Sequence, residues 1–246
     1  MDDVALEAPL EIRVAGRPAT VIMRTPGADE ELVRGFLFSE GIISRADDIL
    51  FMHRPDDLPK ALAGNVIDVR FEAAGRRKGL DRPFFSSTSC GVCGKKSIAS
   101  LEIGAAQVES SLRVRRDVLT SLPGRMKAAQ PTFALTGGVH ASGLFTADGV
   151  LVAVREDVGR HNALDKLIGW ALKANMVPLV DHLLLLSGRV SYELIQKAVM
   201  ASIPIVAAVG APSSLAIDLA NRYNPTLVGF LRAEGMNVYT HADRIV

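Results

Sequence analysis

Hydrophobic and polar positions alternate along two short stretches near the start of the chain. Residues 10–14 and 19–23 show this alternation, and residues 15–18 between them have the composition of a turn. A period of two predicts β-strands, so we expect the chain to open with a hairpin. Apolar residues then recur at helical spacing within Asp29–Ser39, and Gly41 is a suitable stop for that helix.

The pattern changes after residue 130. Short apolar runs at 151–154, 183–186, 203–209 and 226–230 are separated by segments with a helical period. Runs of this length are typical of strands buried on both faces, and strands that alternate with helices predict right-handed crossovers. We therefore predict an α/β fold with a mixed, mostly parallel sheet and helices on both of its faces.

The first half of the chain lacks this regular alternation. Another strand is predicted at Val66–Phe71, and the residues at 75–89, which are rich in Arg, Lys, Ser, Gly and Pro, show neither period. We interpret 75–89 as a mobile loop. We expect a smaller α+β subdomain over residues 1–125 that carries this loop, and an α/β subdomain over residues 126–246 that binds a ligand.

Glycine and arginine residues follow the predicted strands of the second half. Ligands of α/β sheets bind beyond the carboxyl ends of the strands, where glycines allow close approach and arginines bind phosphate groups. The residues that we expect at this anion site are Arg160, His161, Ser187, Gly188, Arg189, Arg232, Ala233, Glu234 and Gly235. The alternative is that these polar loops only connect the elements, as they do in any α/β protein.

The composition excludes several classes of protein. A chain of 246 residues that is 48% hydrophobic can bury a core without metal or disulfide staples. Its net charge of +1 and its single Trp argue against a nucleic-acid-binding protein. Its apolar runs are shorter than the ~18 residues of a membrane-spanning helix, and its first residues do not resemble a secretory signal. We expect a cytoplasmic protein that does not bind membranes.

The two cysteines of the chain form one Cys-x-x-Cys pair, Cys90 and Cys93. A single pair excludes a framework of disulfides. Gly91 and Gly94 leave the sulfur atoms accessible, and the lysines that follow, Lys95 and Lys96, favour the reactive thiolate if they lie close to it. Such a pair can carry sulfane sulfur, with one thiolate holding a persulfide and the other assisting its release.

Other uses of the cysteine pair remain open at this stage. A zinc site needs further ligands, which His140 and His161 could supply, and a thioredoxin-like redox centre normally follows a strand rather than a polar loop. Burial as inert core residues is disfavoured by the polar neighbours. The zinc nucleobase deaminases place His-x-Glu before their cysteines, whereas His140 comes after the pair here and Ser142 stands where they have Glu.

Several motifs resemble those of the formate dehydrogenase accessory sulfurtransferases. They are residues 89–94 around the cysteines, residues 136–140, the segment REDVGRHNALDK at 155–166, residues 186–191 and residues 227–240. The resemblance covers the chain from about residue 10 onward. It implies a fold similar to the cytidine deaminase type and a homodimer.

The resemblance also implies a function. A cysteine desulfurase would load sulfur on the pair, with Cys90 as the persulfide carrier. The sulfur would pass to the molybdenum bis(molybdopterin guanine dinucleotide) cofactor, or to its tungsten form, and so activate formate dehydrogenase; no permanently bound metal is expected. The cofactor-binding residues that the resemblance implies are Phe230, Leu231, Arg232, Ala233, Glu234 and Gly235.

Some assignments stay open within this interpretation. The protein could instead be a chaperone that binds the cofactor without transferring sulfur, or a zinc-dependent hydrolase. His161 could donate a proton near the sulfur or simply pack. Asp157 could accept a hydrogen bond from guanine or only pair with Arg160, and we expect Asp165 and Lys166 to be solvated helix residues.

Overall fold

A computed structural model describes residues 2–60, 62–71 and 104–246. Within these residues the chain forms one four-stranded sheet, one six-stranded sheet and six α-helices. None of the helices in these ranges combines the length and the apolar character that a bilayer crossing requires.

The four-stranded sheet belongs to the first half of the chain. Its strands are β1 (Ala8–Val14), β2 (Arg17–Arg24), β3 (Ile49–His53) and β4 (Val66–Phe71), in the order β2-β1-β4-β3. The β1–β2 and β3–β4 pairs are antiparallel and the central β1–β4 pair is parallel. The opening hairpin predicted from the alternation is confirmed, as is the strand at Val66–Phe71.

The six-stranded sheet belongs to the second half. Its strands are β5 (His140–Phe145), β6 (Leu151–Asp157), β7 (Leu183–Leu186), β8 (Ile205–Ala208), β9 (Thr226–Arg232) and β10 (Gly235–Thr240). Their order across the sheet is β10-β9-β8-β7-β5-β6. Three of the four apolar runs predicted as strands lie within β6, β7 and β9, and the fourth, 203–209, contains the shorter β8.

The prediction of a mostly parallel sheet is correct only for its centre. The β7–β8 and β8–β9 pairs are parallel, whereas β5 pairs antiparallel with β6 and β7, and β10 pairs antiparallel with β9. The antiparallel pairs come from β5 and β10: β5 contains His140, Ser142 and Gly143, and β10 is a partly exposed edge strand. Neither has the apolar run on which the prediction rested.

Helices cover both faces of the large sheet, as predicted. They are α1 (Asp29–Ser39), α2 (Arg116–Ala128), α3 (Pro131–Thr136), α4 (Arg160–Lys173), α5 (Tyr192–Met200) and α6 (Ser214–Tyr223). Alternate residues of β7 separate the two sides: Leu184 and Leu186 pack with α1, α4, α5 and α6, whereas Leu183 and Leu185 pack with α2. The α/β architecture is therefore a sheet between two helical layers.

The first helix joins the two sheets. One hydrophobic cluster contains Leu10 of β1, Leu32 of α1, Leu164 of α4 and Leu184 of β7. The N-terminal sheet thus covers α1, and α1 covers α4. The boundary predicted at residue 125 falls within α2, and the division into two subdomains stays a prediction.

Glycines allow α1 and α4 to touch through their backbones. A Cβ atom at Gly35 would lie 1.8 Å from the carbonyl oxygen of Asp165, and one at Gly169 would lie 1.8 Å from that of Glu31. Both distances are far inside van der Waals contact, so any side chain at either position would push the helices apart.

Candidate functional site

Four strands of the large sheet end at the same edge. Strands β6 and β7 are both antiparallel to β5, and β7, β8 and β9 are mutually parallel, so all four point the same way. We call this edge the carboxyl edge; its residues are Arg160, His161, Ser187, Gly188, Arg189, Gly210 and residues 230–235. It is the edge at which α/β sheets bind their ligands.

Glycines pack the turns of this edge against one another. The Gly210 amide donates a hydrogen bond to the carbonyl of Gly188 at 3.2 Å, and the Phe230 amide donates to the carbonyl of Gly210 at 3.1 Å. A Cβ atom at Gly210 would lie 2.7 Å from the carbonyl oxygen of Gly188. The turns after β7 and β8 therefore form one continuous backbone surface with the end of β9.

Arg160 and His161 occupy the first turn of α4, directly beside this surface. The Nε of Arg160 is buried and has no hydrogen-bond partner in the described part of the chain. His161 is buried, and its Nε2 lies 3.1 Å from the Oγ of Ser191 and 3.8 Å from a carboxylate oxygen of Glu193. A buried guanidinium N–H without a partner marks a place where an acceptor group would be stabilised.

Glu193 is a partly buried carboxylate next to this histidine. The imidazole of His161, whose Nε2 faces this carboxylate at 3.8 Å, lowers the pKa of Glu193 to about 2; burial opposes this shift, and the hydroxyl of Ser191 adds to it. The carboxylate is therefore ionised at neutral pH. Neither Ser191 nor Glu193 was selected from the sequence, because each is an ordinary residue for the start of a helix.

His140 brings a third basic side chain to the same place. It is the first residue of β5, and a Cβ atom at Gly188 would lie 3.1 Å from its Nδ1. Burial lowers the pKa of His140, and the positive charges of Arg160 and His161 lower it further. Basic groups from β5 and α4 thus converge beside the turn after β7.

Ser187 is fixed by β5 rather than free to reach a ligand. Its Oγ accepts a hydrogen bond from the Ala141 amide at 2.9 Å, and its own amide donates to the Ala141 carbonyl at 3.0 Å. Arg189, two residues further along, is exposed. The structure therefore gathers Arg160, His161, Ser187 and Gly188 around His140, with Arg189 on the solvent side of the turn after β7.

The segment at 230–235 is the end of a strand and a hairpin turn. Phe230, Leu231 and Arg232 belong to β9, and Arg232 pairs with Gly235 of β10 across Ala233 and Glu234. This segment lies two strands away from the end of β7. The predicted residues are therefore spread along the carboxyl edge, with the arginine and histidine groups at one end and this hairpin at the other.

Phe230 has a conformation that is unusual for its type. Its φ is 52°, in the left-handed region, and its side chain is 40% exposed. A bulky residue pays a steric cost for this backbone conformation, and such strain is concentrated at functional sites. Leu231, by contrast, is buried in the core between the sheet and α2, so only its backbone can face a ligand.

The segment REDVGRHNALDK is largely structural. Arg155 forms two hydrogen bonds to Glu31 of α1, at 2.5 and 2.9 Å. Glu156 accepts hydrogen bonds from the amides of Thr132 and Phe133 at the start of α3. These contacts attach α1 and α3 to β6.

Asp157 is fully engaged inside the protein. It is completely buried. Its Oδ2 lies 2.7 Å from the Nζ of Lys166 and accepts a hydrogen bond from the Thr25 amide. Its Oδ1 accepts hydrogen bonds from the Gly159 amide and the Asn162 side chain. A carboxylate accepts about four hydrogen bonds. Asp157 has none left for guanine, and its charge partner is Lys166 rather than Arg160.

The expectation that Asp165 and Lys166 are solvated is wrong. Each is 2% exposed. Asp165 pairs with Lys197 of α5 at 2.8 Å and accepts a hydrogen bond from Ser39 of α1. The residues looked solvated because only one face of α4 shows an apolar stripe; the second face is buried by α1 and α5 through polar contacts.

The cysteine pair and the predicted loop before it lie outside the residues that the structure describes. Cys90, Cys93 and the predicted loop at 75–89 are not among the described residues. Within residues 2–60, 62–71 and 104–246, no three His, Asp or Glu side chains are grouped as a metal site would require.

A separate cleft lies at the opposite end of the strands, beside the turn between β5 and β6. Its volume is about 560 Å³, and Arg113, Arg115 and Arg125 line it together with Asp148. Arg115 pairs with Asp117, and Arg125 donates to the carbonyls of Asp148 and Gly149. Because these arginines already have partners, the carboxyl edge is the better site for an anion.

Comparisons with known proteins agree on one family. A family model described as the FdhD/NarQ family matches residues 5–246. A Mycobacterium tuberculosis protein named sulfur carrier protein FdhD is 48% identical over 253 residues, which cover 99% of this chain and 92% of that protein. A Sulfurisphaera tokodaii protein of the same name is 43% identical over 248 residues, covering 100% of this chain and 92% of that protein.

A solved structure has a similar fold over the whole chain. It is the crystal structure of a putative formate dehydrogenase accessory protein from Desulfotalea psychrophila, with a TM-score of 0.77 and 27% sequence identity. The match covers 100% of this chain and 91% of the other. The mixed α/β architecture is therefore one that this group of proteins shares; its relation to the cytidine deaminase type stays a prediction.

Proposed function

Because the chain belongs to the FdhD/NarQ family, we propose that it is a sulfurtransferase that carries sulfur on Cys90 and Cys93 for the maturation of a formate dehydrogenase. The observation that carries this proposal is the 48% identity to a sulfur carrier protein over nearly the whole chain. The cysteines support it, because these two are the only thiols that the sequence offers as carriers.

The carrier chemistry is thiol exchange. A cysteine desulfurase presents a persulfide; the thiolate of Cys90 attacks its outer sulfur, a new S–S bond forms, and the desulfurase thiolate leaves. Cys93 can then displace the outer sulfur from Cys90 as hydrosulfide while the two cysteines form a disulfide. In this scheme Cys90 holds the sulfur and Cys93 assists its release.

The acceptor that we propose is the molybdenum bis(molybdopterin guanine dinucleotide) cofactor or its tungsten form, bound as a substrate. Its pyrophosphates are anions, and the carboxyl edge supplies groups that suit them: the buried, unpartnered Nε of Arg160 and a backbone surface made of glycines. The exposed ring of Phe230 is placed to stack on a flat base. The exposed Arg189 and Arg232 add positive charge to the same edge.

The location and the partners of the protein are also part of the proposal. We propose that the protein is cytoplasmic, that it works as a homodimer, and that it meets a cysteine desulfurase and a formate dehydrogenase in turn. The second function to consider is a chaperone that binds the cofactor without transferring sulfur; the basic groups at the carboxyl edge favour cofactor binding in both cases.

Replacement of the proposed carrier separates these two functions. Cys90→Ala should lose the capacity to gain the mass of one sulfur atom after incubation with a cysteine desulfurase and L-cysteine, as measured by mass spectrometry of the intact protein. It should still bind GDP, because the carboxyl edge is unchanged, and it should fail to activate formate dehydrogenase. Cys93→Ala is the matched control for loading and should still gain sulfur. Normal activation by Cys90→Ala would contradict the carrier role and favour the chaperone.

A further inference from the structure

Ser191 and Glu193 stand at the start of α5, opposite the start of α4. Ser191 precedes the first residue of α5 and Glu193 lies in its first turn, while His161 lies in the first turn of α4. The side chains of His161 and Glu193 are 7% and 14% exposed. Two helix N-termini therefore bring a partly buried carboxylate and a buried imidazole together beside the carboxyl edge.

The geometry differs from that of a serine hydrolase. In such an enzyme the serine and the acid bind opposite nitrogens of the histidine ring. Here the Oγ of Ser191 and the carboxylate of Glu193 both face Nε2, at 3.1 and 3.8 Å. The histidine cannot relay a proton from serine to acid in this arrangement. Its Nε2 is instead held by two neighbours at once.

The ionised carboxylate determines which ring atom faces a ligand. Glu193 is charged at neutral pH, so the tautomer with a proton on Nε2 of His161 is favoured. This N–H can donate to the Oγ of Ser191 at 3.1 Å, and its positive end faces the Glu193 carboxylate at 3.8 Å. Nε2 is thereby committed, and Nδ1 is the nitrogen left for a ligand. A proton on Nδ1 makes the ring a cation that donates to an anion.

The remaining charges around His161 are consistent with an anionic ligand. Arg160 and His161 both lie close enough to His140 for their charges to affect its pKa. The nearby Asp157 is neutralised by Lys166 at 2.7 Å. Glu193 is thus the carboxylate that balances this basic group from the protein side, and a bound anion would balance it from the other.

We propose that Glu193, acting with Ser191, is a positioning residue that orients His161 so that His161 and Arg160 together bind a phosphate group of a guanine nucleotide. The identity of the ligand rests on the proposed function. Glu193 does not touch the ligand itself; its effect passes through the histidine ring.

A double-mutant cycle on GDP binding tests this inference. Isothermal titration calorimetry should show that Glu193→Gln and His161→Gln each weaken GDP binding by about tenfold, the effect of losing one charge-assisted hydrogen bond. The double variant should bind no more weakly than His161→Gln alone, because Glu193 acts only through that ring. Glu193→Asp keeps the charge and should retain most of the affinity that Glu193→Gln loses. Ser191→Ala should weaken GDP binding, as Glu193→Gln does.

Glu31→Gln is the matched control. Glu31 is also a poorly exposed helical glutamate with a basic partner, Arg155, but it lies between α1 and β6 rather than at the carboxyl edge. Its replacement should leave GDP affinity unchanged. Thermal unfolding of each variant shows that it is folded before titration.

The outcomes separate this inference from the function on which it rests. If the wild-type protein binds GDP and Glu193→Gln binds it equally well, the positioning role is wrong and the nucleotide site stands. Effects of the two substitutions that multiply in the double variant would also overturn it, because they would show that Glu193 acts independently of His161. If the wild-type protein binds neither GDP nor pyrophosphate, the proposed acceptor site itself fails.

Discussion

A positive charge on His140 is disfavoured by its surroundings. It is half-buried, and it shares the carboxyl edge with Arg160 and His161. Because burial and these cations lower its pKa, folding favours the neutral imidazole. A phosphate bound beside His140 would stabilise a positive charge there, so this histidine marks a place where an anion is favoured.

The effect of His140 on stability has a definite sign. The unfolded chain binds a proton at the ordinary pKa of 6.5, and the folded protein binds it only at lower pH, so stability is present above pH 6.5 and declines as the pH falls below it. His140→Asn should therefore lose less stability than the wild type between pH 7.5 and pH 5.5, as measured by urea unfolding. An equal loss in both proteins would show that His140 is not under this electrostatic stress. His182, whose pKa is also lowered, is present in both proteins and cancels in the comparison.

Sequence reasoning located some residues of the site and missed others for a physical reason. Arg160 and His161 were found because they come soon after a predicted strand. The sequence of strand, loop and helix along the chain is enough to place them at the carboxyl edge. Ser191 and Glu193 were missed because their role depends on how α5 sits against α4, which local patterns do not encode. Asp165 and Lys166 were misjudged for the same reason, since their partners Ser39, Lys197 and Thr25 come from distant parts of the chain.

At the scale of elements, the crossing of α1 and α4 is the contact most sensitive to a single atom. A Cβ at Gly35 or Gly169 would overlap a backbone carbonyl of the opposite helix, and no side-chain movement can remove that overlap. Gly35→Ala should therefore destabilise the protein by at least ~1–3 kcal/mol, the usual cost of overpacking. The free energy of unfolding from urea titration provides the measurement.

A third helical glycine supplies the control for this prediction. Gly124 lies within α2, and a Cβ there would meet no atom within 4 Å. Gly124→Ala should stabilise the protein by about 0.5–1 kcal/mol, the helix propensity difference between the two residues. If Gly35→Ala were as harmless as Gly124→Ala, the close crossing of α1 and α4 would be wrong.

The elements that were predicted well are those with a strong apolar pattern. Strands β7, β8 and β9 are buried on both faces, and their sequences are accordingly apolar throughout or nearly so. Strand β5 has no continuous apolar run, because packing demands a small residue within it: a Cβ at Gly143 would lie 2.8 Å from the ring of Phe145 and 3.1 Å from the sulfur of Met126. Such a requirement comes from three-dimensional packing and leaves no periodic signal.

At the scale of the whole molecule, buried polar side chains of α4 tie the N-terminal sheet to the second half of the chain. Lys166 pairs with Asp157 and donates to the carbonyl of Thr25, which follows β2. Asn162 donates to the carbonyl of Met23 in the same strand. The hairpin of the small sheet therefore helps to hold the turn that carries Arg160 and His161.

Removing this lysine should be strongly destabilising. Lys166→Met leaves the carboxylate of Asp157 buried without its cation, which typically costs about 3–5 kcal/mol. Urea unfolding followed by the fluorescence of Trp170, the single tryptophan, and by far-UV circular dichroism gives both the size of the effect and its cooperativity. The two probes should report one transition, because both sheets share a hydrophobic cluster. Lys173→Met, at an exposed position of the same helix, should change stability by less than about 0.5 kcal/mol.

Separate transitions for the two probes would contradict the shared core and favour two independent subdomains. The sequence suggested such a division because its pattern changes after residue 130. It could not show that α1 packs on α4, since this contact depends on a pair of glycines 134 positions apart, Gly35 and Gly169.

The central claim is that sulfur held on the cysteine pair is passed to a guanine dinucleotide cofactor bound at the carboxyl edge. The most direct test loads the protein with sulfur, removes the desulfurase, and adds the cofactor without its sulfur together with formate dehydrogenase that lacks the cofactor. Mass spectrometry of the carrier should then show the loss of one sulfur atom as formate dehydrogenase activity appears, with Arg160→Gln keeping its sulfur for longer. Activation while the carrier retains its sulfur would contradict the claim.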